Sequence, residues 1–193
     1  MFNWFSFLTY AVITAATPGP NNIMSMSNGA RKGFKAALPF NLGIWTGFSI
    51  VMLLCTALCE LLGALIPKIR LPMLLLGAAY MLYLAWETFR SSGSIEEGQA
   101  REGFLSGLFL QFVNAKIYIY GIMSMEAYIL PVYQGQILPL AGYALLLAFI
   151  GFVFTLCWSA FGSLFKLIFS RHAKLVNSIM ALLLVYCAVS LFM

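Results

Sequence analysis

The chain has 193 residues, of which 62% are hydrophobic and only 9% are charged, and its mean hydropathy is +0.93. Soluble domains carry about 25% charged residues, so this composition excludes an ordinary soluble domain. The net charge of +5 comes from basic residues that cluster between apolar runs. That pattern orients membrane proteins and does not indicate nucleic-acid binding.

Six apolar runs follow one another along the chain, and each is long enough for a membrane-spanning helix. They cover residues 4–27, 38–62, 71–90, 104–128, 138–165 and 174–193. The first run has no positively charged leader and continues past any cleavage site, so we expect a retained span and not a signal peptide. The predicted fold class is an all-α integral membrane protein with six transmembrane helices in one domain, residues 1–193.

Lysine and arginine residues are distributed unevenly between the two sides that these spans define. The first, third and fifth loops carry eight of them, whereas the opposite side carries only Lys68 and Arg70. By the positive-inside rule the three basic loops are cytoplasmic, which places both termini outside. The polar, glycine- and serine-rich segment 91–103 is then a cytoplasmic linker.

The two halves of the chain, residues 1–90 and 104–193, resemble each other. Leu38-Pro39 recurs as Leu138-Pro139, each pair opening the second helix of its half. Because each half has three spans, a duplication of this kind must be inverted in the membrane, which is a transporter architecture. We therefore expect two inverted three-helix repeats.

The segment Thr17-Pro18-Gly19-Pro20-Asn21-Asn22 interrupts the first span near the middle of the bilayer. Its prolines remove backbone donors and block helix continuation, so the helix must break. Freed carbonyls and the N–H groups of the new helix N-terminus then need partners. An amino-acid zwitterion would satisfy both, its ammonium on the carbonyls and its carboxylate on the N-terminus. A proline kink that serves packing is the alternative, and this segment alone does not decide between them.

The fourth span carries Gln111, Asn114 and Lys116 among apolar residues. Lys116 is about 18 Å into the span at 1.5 Å per residue, where a charge costs several kcal/mol unless it is paired or hydrated. On an unbroken helix Asn114 and Lys116 would point about 200° apart, so we expect local unwinding near Ala115. Polar interruptions at similar depth in both halves indicate a transport site between the repeats. The predicted substrate-binding residues are Thr17, Pro18, Gly19, Pro20, Asn21, Asn22, Gln111, Asn114 and Lys116.

The remaining residues indicate neither a catalytic nor a metal site. Cys55, Cys59, Cys157 and Cys187 all fall within apolar runs away from both interruptions, and the single histidine lies in a basic loop. We therefore expect no metal, no cofactor and no enzyme activity. Trp158 is interpreted as a packing or interface residue.

Two other classes of protein are alternatives to a transporter. A membrane thiol-disulfide electron carrier would need two cysteines that meet at the site. A non-transporting assembly subunit would use Lys116 for complex formation and not for substrate flux. The pair of interruptions favours the transporter.

Four stretches carry a resemblance to a known family: "TPGPNN" in the first span, "NGARKGFKAA" after it, "GAAYMLYLAW" in the third and "QFVNAKIYIYG" in the fourth. Over nearly the whole chain they are similar to the LysE/RhtB family of bacterial amino-acid exporters, most of all to its cysteine and O-acetylserine branch. The resemblance implies export of small neutral amino acids through the inner membrane, driven by protons. Its partners would be the amino acid, the lipid bilayer and protons. Substrate identity, proton stoichiometry and oligomeric state, a homo-oligomer included, stay open.

Three positions depart from the pattern of that family. Ala115 stands where the family usually has a proline between Asn114 and Lys116. Phe48 and Gly151 stand where many members carry an acidic residue. No carboxylate is left deep in the membrane, which argues against a cationic substrate.

Overall fold

The structure is a computed structural model that describes residues 2–62, 66–90, 103–165 and 172–190. The expected linker lies outside the described residues except for Gly103. The described residues are almost entirely helical and include no strand, which confirms the predicted all-α class.

Nine α-helices and one π-helical turn make up the described part of the chain. They are α1 (Trp4–Ala16), α2 (Pro20–Lys32), α3 (Phe34–Leu62), α4 (Ile66–Arg90), α5 (Phe104–Val113), α6 (Ala115–Ser124), the π-helical turn (Met125–Ile129), α7 (Leu130–Tyr133), α8 (Ile137–Leu164) and α9 (Ala173–Ser190).

The start of α3 differs from the expectation that Leu38-Pro39 opens the second helix. Gly33 has a φ of 83°, a conformation that glycine adopts without steric cost, and it turns the chain directly from α2 into α3. The Ala37 N–H then donates to the Gly33 carbonyl at 3.1 Å. The helix therefore begins at Phe34, and Pro39 lies inside it.

Length and composition allow two of the described helices to cross a membrane, or three spans if a bent helix pair counts as one. Residues Phe34–Cys59 of α3 and the whole of α8 each meet the requirement alone. Helix α5 and the segment Ala115–Tyr133 meet it together but are bent by 64°, and α1 and α9 are apolar but shorter. Side chains such as Phe5, Ile137 and Leu138 are 82–85% exposed. Outward-facing apolar side chains of this kind suit a lipid environment.

Three apolar clusters hold the described helices together; a small one joins α4 and α9 around Met81, and the other two, called the first and the second, are larger. The first joins α1, α6, the second half of α3 and the first half of α8, around Phe7, Met52 and Leu147. The second joins α2, α5, the first half of α3 and parts of α4 and α9, around Ile23, Ile44 and Leu184. The residues between α1 and α2, and between α5 and α6, lie where these two clusters meet.

Glycines allow two helix pairs to approach closely. A Cβ on Gly43, Gly47 or Gly107 would meet the backbone of the facing helix between α3 and α5. Gly29 and Gly162 serve the same purpose between α2 and α8. Small residues at such crossings are typical of helix packing in membranes. These contacts fix α2, α3, α5 and α8 around the site.

Candidate functional site

The chain leaves the helical conformation between α1 and α2. Thr17 has a ψ of 148°, and Gly19 has a φ of −172°, so both are extended. The Thr17 N–H still donates to the Ile13 carbonyl at 3.1 Å, and its hydroxyl donates to the Thr14 carbonyl at 2.8 Å. Pro20 is the first residue of α2, where a missing N–H breaks no helical hydrogen bond.

Side chains from α2 and α8 satisfy the carbonyls at the end of α1. The Asn22 amide donates to the Ala15 carbonyl at 2.8 Å and to the Thr17 carbonyl at 2.9 Å. The indole N–H of Trp158 donates to the Ala16 carbonyl at 3.2 Å. Trp158 packs against the second apolar cluster, as interpreted from the sequence, and makes this hydrogen bond in addition. Its partner is a carbonyl 142 residues away, and helical spacing cannot reveal such a contact.

The Lys116 ammonium lies on the same segment. It donates to the Thr17 carbonyl at 2.9 Å, to the Thr17 hydroxyl at 2.9 Å and to the Pro18 carbonyl at 3.1 Å. An ammonium has three N–H donors, so these three oxygens satisfy it fully. We call these acceptors the oxygen cradle. The chain's own lysine thus fills the place that the sequence assigned to a substrate ammonium.

Cys187 also contacts this segment. Its thiol donates to the Pro18 carbonyl across 3.2 Å, on the oxygen that also accepts from Lys116. The expectation that every cysteine lies away from the interruptions is therefore wrong for Cys187, because helix packing brings α9 to the start of α2. No disulfide is present among the cysteines, all of which belong to the described residues.

The second change of direction lies between α5 and α6. Asn114 has φ −86° and ψ 91°, and it is the one residue between the two helices. Its side-chain oxygen accepts from the Lys116 backbone N–H at 3.2 Å and caps α6. Because Asn114 is extended, the angle expected for a continuous helix does not apply. Both Asn114 and Lys116 line one cavity.

Three buried amides connect the two non-helical segments. Asn21 donates to Gln111 at 2.8 Å, and its oxygen accepts from Gln111 at 3.0 Å and from Asn114 at 3.0 Å. The Gln111 amide also donates to the Gly107 carbonyl at 2.9 Å. Gln111 is completely buried, so it positions Asn21 and the start of α2.

A cavity of about 370 Å³, counted with its open mouth, lies between the two segments. Six predicted site residues line it: Gly19, Pro20, Asn21, Asn22, Asn114 and Lys116. Thr17 and Pro18 contact Lys116 and, like Gln111, are not among the described lining residues. The residues that sequence reasoning did not assign to the site are Thr14, Ala15, Phe48, Ile117, Tyr120, Gly151 and Thr155.

The lining residues form two chemically different walls. The polar wall consists of Asn21, Asn22, Asn114 and Lys116. The aromatic wall consists of Phe48, Ile117, Tyr120 and Gly151, of which the first three belong to the first apolar cluster. Among the described residues that line the cavity, none is acidic. The arrangement suits a small molecule with a charged polar end and an uncharged side chain.

Two of the lining residues that were not predicted from the sequence could have been found by their helical spacing. Thr14 lies three residues before Thr17, and Tyr120 lies four residues after Lys116, so helical spacing places each on the face of a predicted site residue. Phe48 and Gly151 have no polar group and lie within long helices, so only the family resemblance singles them out.

Known proteins resemble this chain along most of its length. The sequence model of the LysE type translocator family matches residues 12–193. The cysteine/O-acetylserine efflux protein of Salmonella typhimurium is 41% identical over 189 residues, which are 97% of this chain and 96% of that protein. The protein of the same name from Klebsiella pneumoniae is 42% identical over 185 residues, or 95% and 94% of the two chains. The one from Escherichia coli K12 is 40% identical over 189 residues, or 97% and 96%. No solved structure matches the chain.

Proposed function

The chain belongs to the LysE type translocator family, and from this membership we propose that it exports small neutral amino acids or their derivatives, of the class of cysteine and O-acetylserine. Relatives named for efflux of those two compounds share 40–42% of their residues with it. As a translocator it is a transporter and not an enzyme. The observation that carries the proposal is a cavity lined by Lys116, whose ammonium already lies on the oxygen cradle.

The oxygen cradle would bind the ammonium group of the substrate, and Lys116 would bind its carboxylate. The α-ammonium of the amino acid replaces the Lys116 ammonium on the Thr17 and Pro18 oxygens. Lys116 then pairs with the substrate carboxylate. The N-terminus of α2 adds N–H donors and the positive end of the helix dipole to the carboxylate site. This binding mode is specific for amino acids because it requires both charges.

Lys116 would also carry the coupling proton in export driven by the proton gradient. Lys116 and Tyr120 are the residues with titratable side chains among the described lining residues, and Lys116 is the one on the cradle. Its partners are neutral oxygens, so loss of a proton leaves no unpaired carboxylate behind. A neutral amine keeps two N–H donors for the three acceptors.

The proposed architecture is a single transport domain with six spans in the bacterial inner membrane and both termini in the periplasm. Its two inverted repeats are residues 1–90 and 104–193. The pairs α1–α2 and α5–α6 would each form one interrupted span. The packing of α3 against α8 and of α4 against α9 supports this division, because each pair joins corresponding helices of the two halves.

Inverted membrane vesicles test this function directly. Vesicles that contain the protein should accumulate labelled cysteine and O-acetylserine when a proton gradient is imposed, and vesicles without it should not. A protonophore should abolish the accumulation. Uptake that persists with the protonophore would contradict only the proposed proton coupling. No uptake of either compound would contradict the proposed function itself.

A further inference from the structure

Phe48 on α3 and Gly151 on α8 meet at the aromatic wall of the cavity. A Cβ on Gly151 would lie 2.9 Å from Phe48 Cδ1, 3.2 Å from Cζ and closer still to Cε1. The ring therefore fills the space that a side chain at position 151 would occupy. Gly151 lies well inside the regular helix α8, where no turn requires glycine. Its missing side chain makes room for the ring.

Other aromatic residues restrict the position of the Phe48 ring. Its centroid lies 5.8 Å from that of Tyr120, with the two planes at 59°. Tyr120 in turn stacks on Tyr10 at 6.1 Å, and its hydroxyl lies 3.4 Å from the Leu147 carbonyl. Phe48 is only 4% exposed. The ring is thus a fixed boundary of the cavity.

The polar wall determines what faces this boundary. Under the proposed function, on which this inference rests, the cradle and Lys116 hold the ammonium and carboxylate of the amino acid. The substrate side chain must then extend towards Phe48 and Tyr120. We infer that the Phe48 ring, seated against Gly151, determines which substrate side chains the cavity admits and excludes aromatic ones.

Replacement of Phe48 by alanine tests the inference by a gain of function. Phe48→Ala removes a ring of the same shape as the side chain of phenylalanine, so the enlarged cavity should accept that amino acid. Differences of one methylene group in an apolar pocket change selectivity by about 10- to 200-fold. We expect the ratio of phenylalanine uptake to O-acetylserine uptake in inverted vesicles to rise about tenfold or more.

Gly151→Ala should have the opposite effect. The added methyl group displaces the ring into the cavity, so uptake of O-acetylserine should fall more than uptake of the shorter cysteine. Phe48→Leu combined with Gly151→Ala should restore the ratio of the two uptake rates, because the smaller side chain leaves room for the methyl group. Gly142→Ala is the matched control on the same helix, since a Cβ at Gly142 would meet no described atom within 4 Å.

A ratio of two uptake rates does not depend on the amount of protein, and immunodetection shows whether each variant reaches the membrane. Phe48→Leu alone repeats the test with a smaller change in the side chain. It replaces Phe48→Ala as the deciding variant if the Phe48→Ala protein does not reach the membrane. An unchanged phenylalanine ratio in a variant that still transports O-acetylserine would overturn the inference. Failure of the unmodified protein to transport O-acetylserine or cysteine would instead overturn the proposed function.

Discussion

The Lys116 ammonium and the Thr17 carbonyl oxygen lie 2.9 Å apart, although 99 residues separate them along the chain. The bond joins the segment that follows α1 to the start of α6. With the Thr17 hydroxyl and the Pro18 carbonyl as further acceptors, the charge is stabilised by dipoles and not by a carboxylate. The geometry of each non-helical segment therefore depends on the other.

Replacement of Lys116 should separate charge from proton transfer. Lys116→Met removes the cation that the proposed binding mode pairs with the substrate carboxylate, and a hydrogen bond to a charged group contributes about 1.5–3 kcal/mol, so we expect at least about a tenfold loss of export. Lys116→Arg keeps the charge but does not release a proton. It should retain exchange of labelled for unlabelled substrate and lose accumulation driven by a proton gradient. Lys35→Met, at an exposed position in the first turn of α3, is the control.

Export by Lys116→Met at the rate of the unmodified protein between pH 6 and 8 would remove Lys116 from the mechanism. In that case Asn114 and the segment between α1 and α2 would form the site alone.

Gly19→Ala should weaken export because the added methyl group would displace the side chain of Lys116. A Cβ on Gly19 would lie 2.8 Å from Lys116 Cδ and 3.0 Å from Nζ, and Gly19 is in an extended conformation that any residue adopts. We expect about a fivefold loss of export, equivalent to roughly 1 kcal/mol. In Gly103→Ala the new Cβ would meet no described atom within 4 Å, so this control variant should export at the unmodified rate. If Gly19→Ala causes a further loss in a Lys116→Ala background, its effect does not pass through the side chain of Lys116.

Gln111→Leu should lower stability because it leaves Asn21 without two of its hydrogen bonds. The expected cost is about 1–3 kcal/mol. For a chain of this size each kcal/mol lowers the melting temperature by roughly 2–4 °C, which thermal unfolding in detergent can measure. The double variant Gln111→Leu with Asn21→Leu should lose less stability than the sum of the losses in the two single variants, because both residues belong to one hydrogen-bond network. Gln134→Leu, at an exposed position between α7 and α8, serves as the control. Stability losses of Gln111→Leu and Asn21→Leu that are strictly additive in the double variant would contradict the network.

Trp158→Phe removes the indole N–H from the Ala16 carbonyl and keeps an aromatic ring. A hydrogen bond of this kind contributes about 0.5–1.5 kcal/mol, so we expect a small loss of thermal stability. Trp86→Phe at a position 62% exposed should have no effect. Equal melting temperatures for the two variants would show that the hydrogen bond does not hold the end of α1.

The topology can be tested with reporter fusions. The eight-to-two distribution of basic residues predicts that alkaline phosphatase fused after Met193 is active and that a fusion at Gly93 is inactive. The reverse pattern of activity would invert the proposed orientation.

The polar part of the cavity could be predicted because its residues are unusual in apolar helices. Proline removes a backbone donor, and a buried lysine or asparagine needs polar partners, so residues 17–22 and 111–116 stand out by chemistry alone. Six of the nine predicted residues line the cavity, and their role in binding stays a prediction. Their hydrogen bonds to one another follow from the pairing of two segments that lie far apart in the sequence.

The aromatic wall and two further contacts could not be predicted in this way. Phe48 and Gly151 are ordinary residues for apolar helices, and only the packing of α3 against α8 brings them together. Trp158 and Cys187 likewise reach carbonyls whose position depends on where α1 ends. A single sequence contains no periodic signal for contacts between helices so far apart in the chain.

The lysine on the cradle also bears on how the empty transporter returns to its starting state. Without an ammonium on the cradle, the unloaded protein would lose hydrogen bonds to a charged group, each of which contributes about 1.5–3 kcal/mol. Lys116 covers those oxygens whenever the amino acid has left. We therefore expect the unloaded carrier to reorient without a counter-substrate, which makes net efflux, and not one-for-one exchange, its working mode.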